Sequence, residues 1–569
     1  MRNYALLGWV ASGAALVINS TTSLADLCTV SYVISVLPGI QDIGATIDAT
    51  SVTVNAVYGA VSTGQASFPD YTYDYCEVNF AYSHDGTGDR VQVVYWMPAP
   101  ANFKDRYQTQ GGAGYATTLP NTRGAGVSYG AATGGTDGGF GSFSTNFDAV
   151  ALNAGGSGFN QDLVQMFAYQ GAGECTLVGK YFTNNFYAMG GRKLYTYYQG
   201  CSEGGRSAWS QAQRYGEMYD GIIIGAPAMR YGQQQVLHIY SNVVEHTMDY
   251  YPMPCELQLI RSEIIANCDG LDGKVDGVIS RSDLCLLNYN LNDTLGMPFD
   301  CYSNNRGNVT QQGIDLARKI LDGIYDSDGK HVWMSYQAGG AWDDATTTYN
   351  WNTNQWELSI ASKAGEWIAR FLNEEVGATT IPNLDNVTYD TIRDWMNEGM
   401  WKFPDLMTNN PNLTTMRDAG HKILVYHGEA DTSVPTGSSV RFHESIRNFM
   451  YPGLSMDESN AELSDFLQLY LVPGAAHCAP SGDQANGPYP QTNMGVMIDW
   501  VENGKTPTTL NATHLGGDSI GANAQLCQWP KRPLWTDNGA MQTCVFDQES
   551  YETWIYDINA FPSLIDPLY

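Results

Sequence analysis

The stretch Gly200-Cys201-Ser202-Glu203-Gly204 decides how this chain is interpreted, because it has the G-x-S-x-G spacing of a nucleophile elbow. Residues 193–198 before it alternate and are rich in aromatics, which predicts a β-strand. Residues 206–215 after it contain no Gly or Pro, which predicts a helix. A strand, a tight turn and a helix in this order push the serine oxygen out of a sheet, where it can act as a nucleophile.

A reactive serine needs partners, because its hydroxyl is a poor nucleophile at neutral pH without an imidazole base and a carboxylate that orients that base. His477 stands on a loop directly after the apolar run 466–472, which predicts a strand. Asp431 and Glu429 follow the predicted strand 422–427 and compete for the role of the acid. The chain order serine, acid, histidine is that of an α/β-hydrolase, whose parallel sheet is flanked by helices.

His477 is also distinguished by a neighbouring cysteine. Cys478 directly follows it and Cys201 directly precedes Ser202, so one disulfide can tie the candidate nucleophile to its base. The other histidines lack this combination of predicted loop, chain order and cysteine: His84, His238, His246, His331, His421, His427, His443 and His514.

Acyl transfer from such a serine needs hydrogen-bond donors for the oxyanion of the tetrahedral intermediate. One predicted donor is the backbone N–H of Glu203, the residue after the nucleophile. The second should come from an early glycine-rich loop, for which residues 110–115 are the best candidate. Gly112 is our choice in that loop, with Gly111 nearly as well placed.

The constellation Cys201-Ser202, Asp431 and His477-Cys478 resembles that of the tannase and feruloyl esterase family, and within it the secreted fungal tannases. The similarity extends from about Asp26 to the C-terminus, with landmarks at residues 195–198, 225–228, 250–257, 394–397 and 526–535. The resemblance implies that Asp431 is the triad acid and that Cys201 and Cys478 are disulfide-bonded beneath the triad. It also implies hydrolysis of galloyl ester and depside bonds of tannins, with release of gallic acid.

Two other functions stay open at this point. A feruloyl or chlorogenate esterase of the same family would differ only in a substrate pocket that the sequence does not reveal. A non-catalytic glycan-binding or adhesion protein on a hydrolase scaffold belongs to another class, and the intact triad argues against it.

A second cluster of polar residues lies at 267–278, where aspartates alternate with glycines. Such a loop can wrap oxygen ligands around a hard cation such as Ca²⁺, although its spacing is not that of an EF-hand. The resemblance implies a structural Ca²⁺ held by the side chains of Asp269, Asp272 and Asp276 and by the carbonyl groups of Lys274 and Val278. No organic cofactor is expected, because serine hydrolysis needs none.

The interval between Ser202 and Asp431 is long enough for an inserted domain. We expect a catalytic domain formed by residues 26–228 and 419–569, and a lid domain, with the calcium loop, at residues 229–418. The aromatic residues of this lid should mostly form its core, while one or two stack on a phenolic ring: Trp342, Tyr349, Trp351, Trp356 and Trp367.

Several features predict an exported protein. Residues 1–25 resemble a signal peptide, with Arg2 before an apolar stretch and Ser23-Leu24-Ala25 at the expected cleavage site. N-glycosylation sequons follow at Asn292, Asn308, Asn386, Asn412 and Asn511. The net charge of −30 and the pI near 4.4 argue against nucleic acid or an anionic membrane as partners. We therefore expect a secreted glycoprotein, and the resemblance implies that its partners are small phenolic esters.

The 11 cysteines of an exported chain predict disulfides and at least one free thiol. Spacing favours three pairs besides the one at the triad: Cys28 with Cys76, Cys268 with Cys285, and Cys527 with Cys544. The partners of Cys255, Cys301 and Cys175 cannot be deduced from spacing, and Cys175 is our choice for the free thiol.

Overall fold

The computed structural model of the chain describes residues 22–119, 122–153, 158–301, 305–340 and 342–561. Most of the predicted signal peptide, residues 1–21, lies outside the described residues. The described strands are β1 (Ala45–Ser62), β2 (Tyr71–His84), β3 (Val91–Pro98), β4 (Arg106–Gln110), β5 (Ala131–Thr136), β6 (Tyr195–Cys201), β7 (Gly221–Gly225), β8 (Pro298–Cys301), β9 (Asn305–Asn308), β10 (Ile324–Tyr325), β11 (His331–Trp333), β12 (Thr347–Asn350), β13 (Gln355–Leu358), β14 (Lys422–Gly428), β15 (Leu467–Val472), β16 (Pro488–Tyr489), β17 (Thr509–His514), β18 (Asn523–Cys527), β19 (Arg532–Thr536) and β20 (Met541–Val545).

The α-helices in the same part of the chain are α1 (Leu24–Leu27), α2 (Val30–Ser35), α3 (Gly124–Ser128), α4 (Phe147–Val150), α5 (Gln161–Gln165), α6 (Gly171–Phe186), α7 (Glu203–Tyr215), α8 (Tyr231–Leu237), α9 (Tyr240–Met248), α10 (Pro254–Cys268), α11 (Ser282–Asn288), α12 (Gln311–Asp322), α13 (Ser362–Trp367), α14 (Tyr389–Lys402), α15 (Thr414–Asp418), α16 (Thr436–Met450), α17 (Met456–Ser464), α18 (Asn493–Asn503) and α19 (Gln548–Glu552).

A nine-stranded sheet in the order β1-β2-β3-β5-β4-β6-β7-β14-β15 organises the molecule. Strands β1 to β3 pair in antiparallel fashion, and the strands from β5 to β15 along the sheet are parallel. Strands β7 and β15 are apolar along most of their length, and every residue of both is buried, as expected for parallel strands that are covered on both faces. The α/β fold predicted from the motif order is confirmed.

The segment between β7 and β14 adds no strand to this sheet within the described residues. Its helices pack instead into an apolar cluster that also includes Phe147 and Phe167 from before the nucleophile, and Ile558 near the C-terminus. The inserted segment therefore shares a core with the rest of the chain. The domain boundaries at residues 228 and 418 stay a prediction.

The predicted disulfides Cys28–Cys76, Cys268–Cys285 and Cys527–Cys544 are present, as is Cys201–Cys478. Cys255 and Cys301, which spacing left unassigned, are also bonded to each other. They link the start of α10 to the end of β8. Cys175 is buried in α6 without a disulfide partner, as expected for the free thiol.

The surface is compatible with the expected modifications. All five sequon asparagines, Asn292, Asn308, Asn386, Asn412 and Asn511, are exposed. Among the helices of the described residues, none combines the length and the apolar character needed to cross a bilayer.

Candidate active site

Ser202 occupies a strained turn between β6 and α7. Its backbone has φ 64° and ψ −123°, a conformation that L-residues rarely adopt. The surrounding backbone fixes this turn, because the Ser202 N–H donates to the carbonyl of Gly225 at 3.1 Å and the Ala228 N–H donates to the Ser202 carbonyl at 3.1 Å. The elbow predicted from the G-x-S-x-G spacing is therefore present, and it lifts the serine above the end of the parallel strands.

The two glycines of the motif are required by close backbone contacts. A Cβ atom at Gly200 would collide with the backbone of Gly204, and one at Gly204 would lie 2.7 Å from the Gly112 carbonyl oxygen. The Gly204 N–H donates to that same oxygen at 3.1 Å. Helix α7 and the 110–115 loop can approach this closely only because both lack side chains here.

Ser202, His477 and Asp431 form one continuous hydrogen-bonded chain. The Oγ atom of Ser202 lies 2.8 Å from Nε2 of His477, and Nδ1 of His477 lies 2.8 Å from Oδ2 of Asp431. The other oxygen of Asp431, Oδ1, accepts the N–H groups of Ser433 and Val434, each at 2.8 Å. These bonds fix the carboxylate, and the carboxylate fixes the imidazole with Nδ1 protonated and Nε2 directed at the serine.

Asp431 is fully buried, and a second histidine contacts it. Nε2 of His427 lies 3.2 Å from Oδ2 of Asp431, while Nδ1 of His427 lies 2.8 Å from the Ser439 hydroxyl. Burial alone would raise the pKa of Asp431, but the charge of His477 and the hydrogen bonds from both imidazoles outweigh it and hold the pKa well below its usual range. The acid thus stays ionised, as its orienting role requires.

Glu429, the competing acid, lies away from this chain of hydrogen bonds. Its carboxylate contacts Nη2 of Arg532 and the Ser282 hydroxyl, each at 2.5 Å. Arg532 also reaches Asp283 at 3.2 Å, so the three residues form a buried ionic network. Although it follows a strand in a loop, Glu429 is not solvated, because α11 and β19 cover this loop and only 2% of the residue is exposed.

The disulfide Cys201–Cys478 connects the two loops that carry the nucleophile and the base. Its Cα atoms are 6.0 Å apart, and it joins positions separated by 277 residues. Because Cys201 ends β6 and Cys478 adjoins His477, the bond limits how far Ser202 and His477 can separate.

The backbone favours one of the two candidate oxyanion glycines. The N–H of Gly111 donates to the Gln199 carbonyl at 2.8 Å, so this N–H is not available to an oxyanion. The N–H groups of Glu203 and Gly112 have no backbone acceptor among the described residues. Glu203 and Gly112 line the same cavity as Ser202, which leaves this pair available for an oxyanion.

A cavity of about 610 Å³ opens above the triad, a size that suits a small organic substrate. One face of α8 and its C-terminal neighbour contributes Tyr231, Gln234, Gln235 and His238 to its wall. Helix α13 contributes Ser362, Lys363 and Glu366. Sequence reasoning assigned no role to these residues, although the spacing of the α8 set is that of a helix face.

The predicted stacking residues of the lid lie elsewhere. Trp342, Tyr349, Trp351, Trp356 and Trp367 are all absent from the wall of this cavity. Trp367 is buried against Phe371 and Tyr231, whereas Trp351 is 82% exposed. The aromatic rings that do line the cavity are those of Tyr115, Tyr231 and Tyr426. The expectation failed because composition reveals aromatic content but not which rings the fold turns toward the triad.

The acidic loop follows α10 and contains unpaired carboxylate oxygens. Asp269 Oδ1 accepts the N–H groups of Asp276 and Val278 at 2.9 and 3.2 Å, while Asp272 Oδ2 and Asp276 Oδ1 are buried and have no hydrogen-bond partner among the described residues. Nζ of Lys274 lies 2.8 Å from Asp276 Oδ2. Orphaned carboxylate oxygens of this kind suit Ca²⁺.

Side chains alone do not complete a metal site in this loop. In the part of the chain that the structure describes, no group of three or more His, Cys, Asp and Glu residues has the arrangement of a metal centre. A cation here would also need backbone carbonyl oxygens, the role predicted for Lys274 and Val278.

A strained nucleophile elbow, a buried acid and a histidine bridging the two, set at the ends of parallel strands, define a serine hydrolase of the α/β-hydrolase fold. Residues 76–550 match the profile of the family described as tannase and feruloyl esterase. The chain belongs to this family, and with it to the carboxylic ester hydrolases.

Individual relatives agree with this assignment. The chain is 43% identical to the tannase of Aspergillus oryzae over 95% of its own length and 96% of that protein. It is 30% identical to a probable feruloyl esterase of Arthroderma benhamiae over 82% and 84% of the two chains. The solved structure of a tannin acyl hydrolase from Aspergillus niger superposes with a TM-score of 0.93 at 49% identity, covering 95% of this chain and 99% of that one.

Proposed function

We propose that the protein is a secreted serine esterase that hydrolyses galloyl ester and depside bonds of tannins and releases gallic acid. The observation that carries the proposal is the continuous series of hydrogen bonds from Ser202 Oγ through His477 to Asp431, beside a cavity of substrate size. Relatives named tannase and tannin acyl hydrolase are 43% and 49% identical to this chain, against 30% for a probable feruloyl esterase. Feruloyl ester hydrolysis is the second candidate function.

The first half-reaction acylates Ser202. His477 Nε2 removes the hydroxyl proton as Oγ attacks the ester carbonyl carbon, and Asp431 stabilises the imidazolium that forms. The carbonyl oxygen becomes an oxyanion that accepts the N–H groups of Glu203 and Gly112. When the tetrahedral intermediate collapses, the bond from carbon to the alcohol oxygen breaks and His477 returns the proton to the departing alcohol. The galloyl group is left as an ester of Ser202.

The second half-reaction is the reverse with water in place of the alcohol. His477 takes a proton from the water, the new C–O bond forms, and the bond between the acyl carbon and Ser202 Oγ breaks. The proton returns to Ser202, and gallic acid leaves the site.

The deciding experiment compares initial rates on methyl gallate and methyl ferulate at equal concentrations for the wild type and Ser202→Ala. We expect gallate release to exceed ferulate release and to vanish in the variant. A preference for ferulate would favour the sister activity. No Ser202-dependent release from either ester would leave the non-catalytic glycan-binding protein as the hypothesis to pursue.

Export and glycosylation complete the proposal. The apolar segment after Arg2 and the exposed sequon asparagines support entry into a eukaryotic secretory pathway. The net charge of −30 supports solubility and disfavours binding to nucleic acid or anionic membranes. Treatment with an endoglycosidase should increase the electrophoretic mobility of the secreted protein, and unchanged mobility would contradict glycosylation.

A structural Ca²⁺ is also proposed for the acidic loop. Asp269, Asp272 and Asp276 would supply carboxylate oxygens, and Lys274 and Val278 would supply carbonyl oxygens. The unpaired oxygens of Asp272 and Asp276 support this assignment. The ion would stabilise the loop between α10 and α11 and would take no part in the hydrolysis.

A further inference from the structure

Helix α8 presents a polar face to the cavity that contains the triad. Tyr231, Gln234, Gln235 and His238 line the cavity at positions i, i+3, i+4 and i+7, which is the spacing of one side of a helix. Val236 and Leu237 belong to the apolar core but do not line the cavity, whereas Tyr231 belongs to that core and also lines the cavity. Polar side chains on a cavity wall have to be satisfied by water or by a ligand, so this face is a candidate for substrate recognition.

His238 is held in one tautomer. Its Nδ1 atom lies 2.6 Å from Oδ2 of Asp344, and the Tyr336 hydroxyl donates to the same oxygen at 3.0 Å. Because an ionised carboxylate only accepts hydrogen bonds, Nδ1 carries the proton, and Nε2 of the neutral ring is an acceptor. Among the described residues, no protein group forms a hydrogen bond with Nε2. The imidazole therefore offers an acceptor to whatever occupies the cavity.

Gln234 adds a second acceptor one helical turn away. Its amide Nε2 donates to the Ser433 carbonyl at 2.5 Å, which fixes the orientation of the side chain. Its Oε1 atom is buried and has no partner within the described part of the chain. An unpaired buried acceptor is unfavourable, so a hydroxyl donor from a ligand would relieve the cost. Positions i and i+4 lie about 5–6 Å apart on a helix, within reach of one substituted ring.

This wall is also tied to the triad. Ser433, which accepts from Gln234, follows Asp431 by two residues and donates its own N–H to Asp431 Oδ1. The Thr432 hydroxyl donates to Asp343 at 2.9 Å, next to Asp344. The acceptors on α8 and the reacting groups are therefore held in a fixed relation, as discrimination between substrates requires.

We propose that His238 and Gln234 bind the ring of the acyl group and accept hydrogen bonds from its neighbouring hydroxyl groups. The inference rests on the proposed function and assigns the residues that recognise the hydroxyl groups of the galloyl ring. A methoxy group has no proton to donate, so O-methylated rings are disfavoured at this site. A site that pairs with substrate hydroxyls rejects analogues without them more strongly than an apolar pocket does.

The test measures kcat/KM for methyl gallate, methyl 3,4,5-trimethoxybenzoate and methyl benzoate. His238→Phe retains a flat ring without an acceptor, and His238→Gln retains an acceptor oxygen. We expect His238→Phe to lower kcat/KM for methyl gallate about 10- to 100-fold and to change that for methyl benzoate less than about threefold. His238→Gln should recover part of the loss. Gln234→Leu should likewise lower the gallate-to-benzoate ratio, which is kcat/KM for methyl gallate divided by kcat/KM for methyl benzoate.

Gln233→Leu is the matched control, since Gln233 is a buried neighbour on α8 that does not line the cavity. It should leave the gallate-to-benzoate ratio unchanged. An unchanged ratio in both His238→Phe and Gln234→Leu would overturn the inference, as would equal loss on both esters. If His238→Phe does not fold, Gln234→Leu decides alone. Failure of the proposed function is distinct, because the wild type itself would then prefer methyl ferulate or show no Ser202-dependent release of gallate, before any α8 variant is compared.

Discussion

The carboxylate of Asp431 contacts four hydrogen-bonding groups, namely two backbone N–H groups and two imidazoles. The imidazoles help to keep it ionised. Replacing the carboxylate by an amide keeps the shape but allows His477 to adopt the tautomer that cannot accept the serine proton. We therefore expect Asp431→Asn to lower kcat about 10³- to 10⁴-fold while the protein stays folded. Steady-state kinetics with methyl gallate, beside circular dichroism, check this. A loss below tenfold would mean that Asp431 is not the orienting acid.

Replacement of Glu429 should lower stability and leave kcat nearly unchanged, the opposite of what is expected for Asp431, because Glu429 stabilises the fold and lies outside the triad. Glu429→Gln leaves Arg532 without its closest carboxylate in a buried site. Breaking a buried pair in this way costs about 3–5 kcal/mol. Denaturant unfolding should reveal this loss, while kcat of the folded enzyme changes less than about threefold. A large fall in kcat with unchanged stability would contradict the assignment.

Residue spacing was enough to predict Ser202 and His477, because local motifs and chain order specify both. It was not enough to separate Asp431 from Glu429, since two acids in one loop differ only in what the rest of the chain brings to them. Arg532 and Ser282, which hold Glu429, are distant in sequence. His238 was missed for the same reason, because Asp344 becomes its partner only after folding.

At the scale of elements, the disulfide Cys201–Cys478 couples the end of β6 to the histidine loop. Replacing both cysteines by alanine should lower kcat at least about tenfold, because small misplacements of reacting groups cost large factors in rate. The strand pairing of β6 does not depend on the disulfide, so the variant should fold. Comparison of kcat and of the circular dichroism spectrum checks both points. Full turnover in the folded variant would exclude the positioning role.

Glu444 of helix α16 forms hydrogen bonds with two residues of the C-terminal segment, Trp529 and Tyr551. Its carboxylate accepts the Trp529 indole N–H at 2.9 Å and the Tyr551 hydroxyl at 2.8 Å, and it pairs with Arg447 at 2.8 Å. Burial opposes ionisation, but His443, Arg447 and Trp529 together outweigh it and lower the pKa of Glu444 to about 2.

A pKa lowered by folding makes stability depend on pH. Ionised Glu444 stabilises the fold fully above its ordinary pKa of 4.5, and this contribution is lost as the pH falls through about 2. Glu444→Gln should therefore lower the free energy of unfolding by roughly 3 kcal/mol at pH 6, and the difference should shrink below pH 4. Thermal unfolding of both proteins across this pH range tests it. A difference that does not vary with pH would contradict the linkage.

At the scale of the whole molecule, the order of elements along the chain predicted the α/β sheet and its parallel half. The antiparallel strands β1 to β3 and the position of each strand in the sheet were not predicted, since pairing depends on contacts between distant segments. The shared core of the inserted segment was also missed, because the rings that form it come from both sides of the predicted boundary.

Removal of Ca²⁺ should affect the stability of the whole molecule more than its chemistry. The proposed ion lies between α10 and α11, outside the cavity of the triad. A chelator should lower Tm by roughly 3–10 °C, and added Ca²⁺ should restore it. The rate on methyl gallate well below Tm should change little. Asp272→Asn should reproduce the lower Tm and abolish the response to the chelator; a Tm that does not respond in the wild type would argue against the ion.

Phe147 and Phe167, which precede the nucleophile in the chain, stack on each other at 4.4 Å, and Phe147 also stacks on Phe371 of the inserted segment at 5.4 Å. Trp367 also stacks on Phe371, with the ring centroids 4.6 Å apart. Exchanging the inserted segment for that of a relative would separate Phe371 and Trp367 from Phe147 and Phe167, against which they pack in this chain. We therefore expect single replacements along the polar face of α8 to change substrate preference with less loss of stability than exchange of the whole segment.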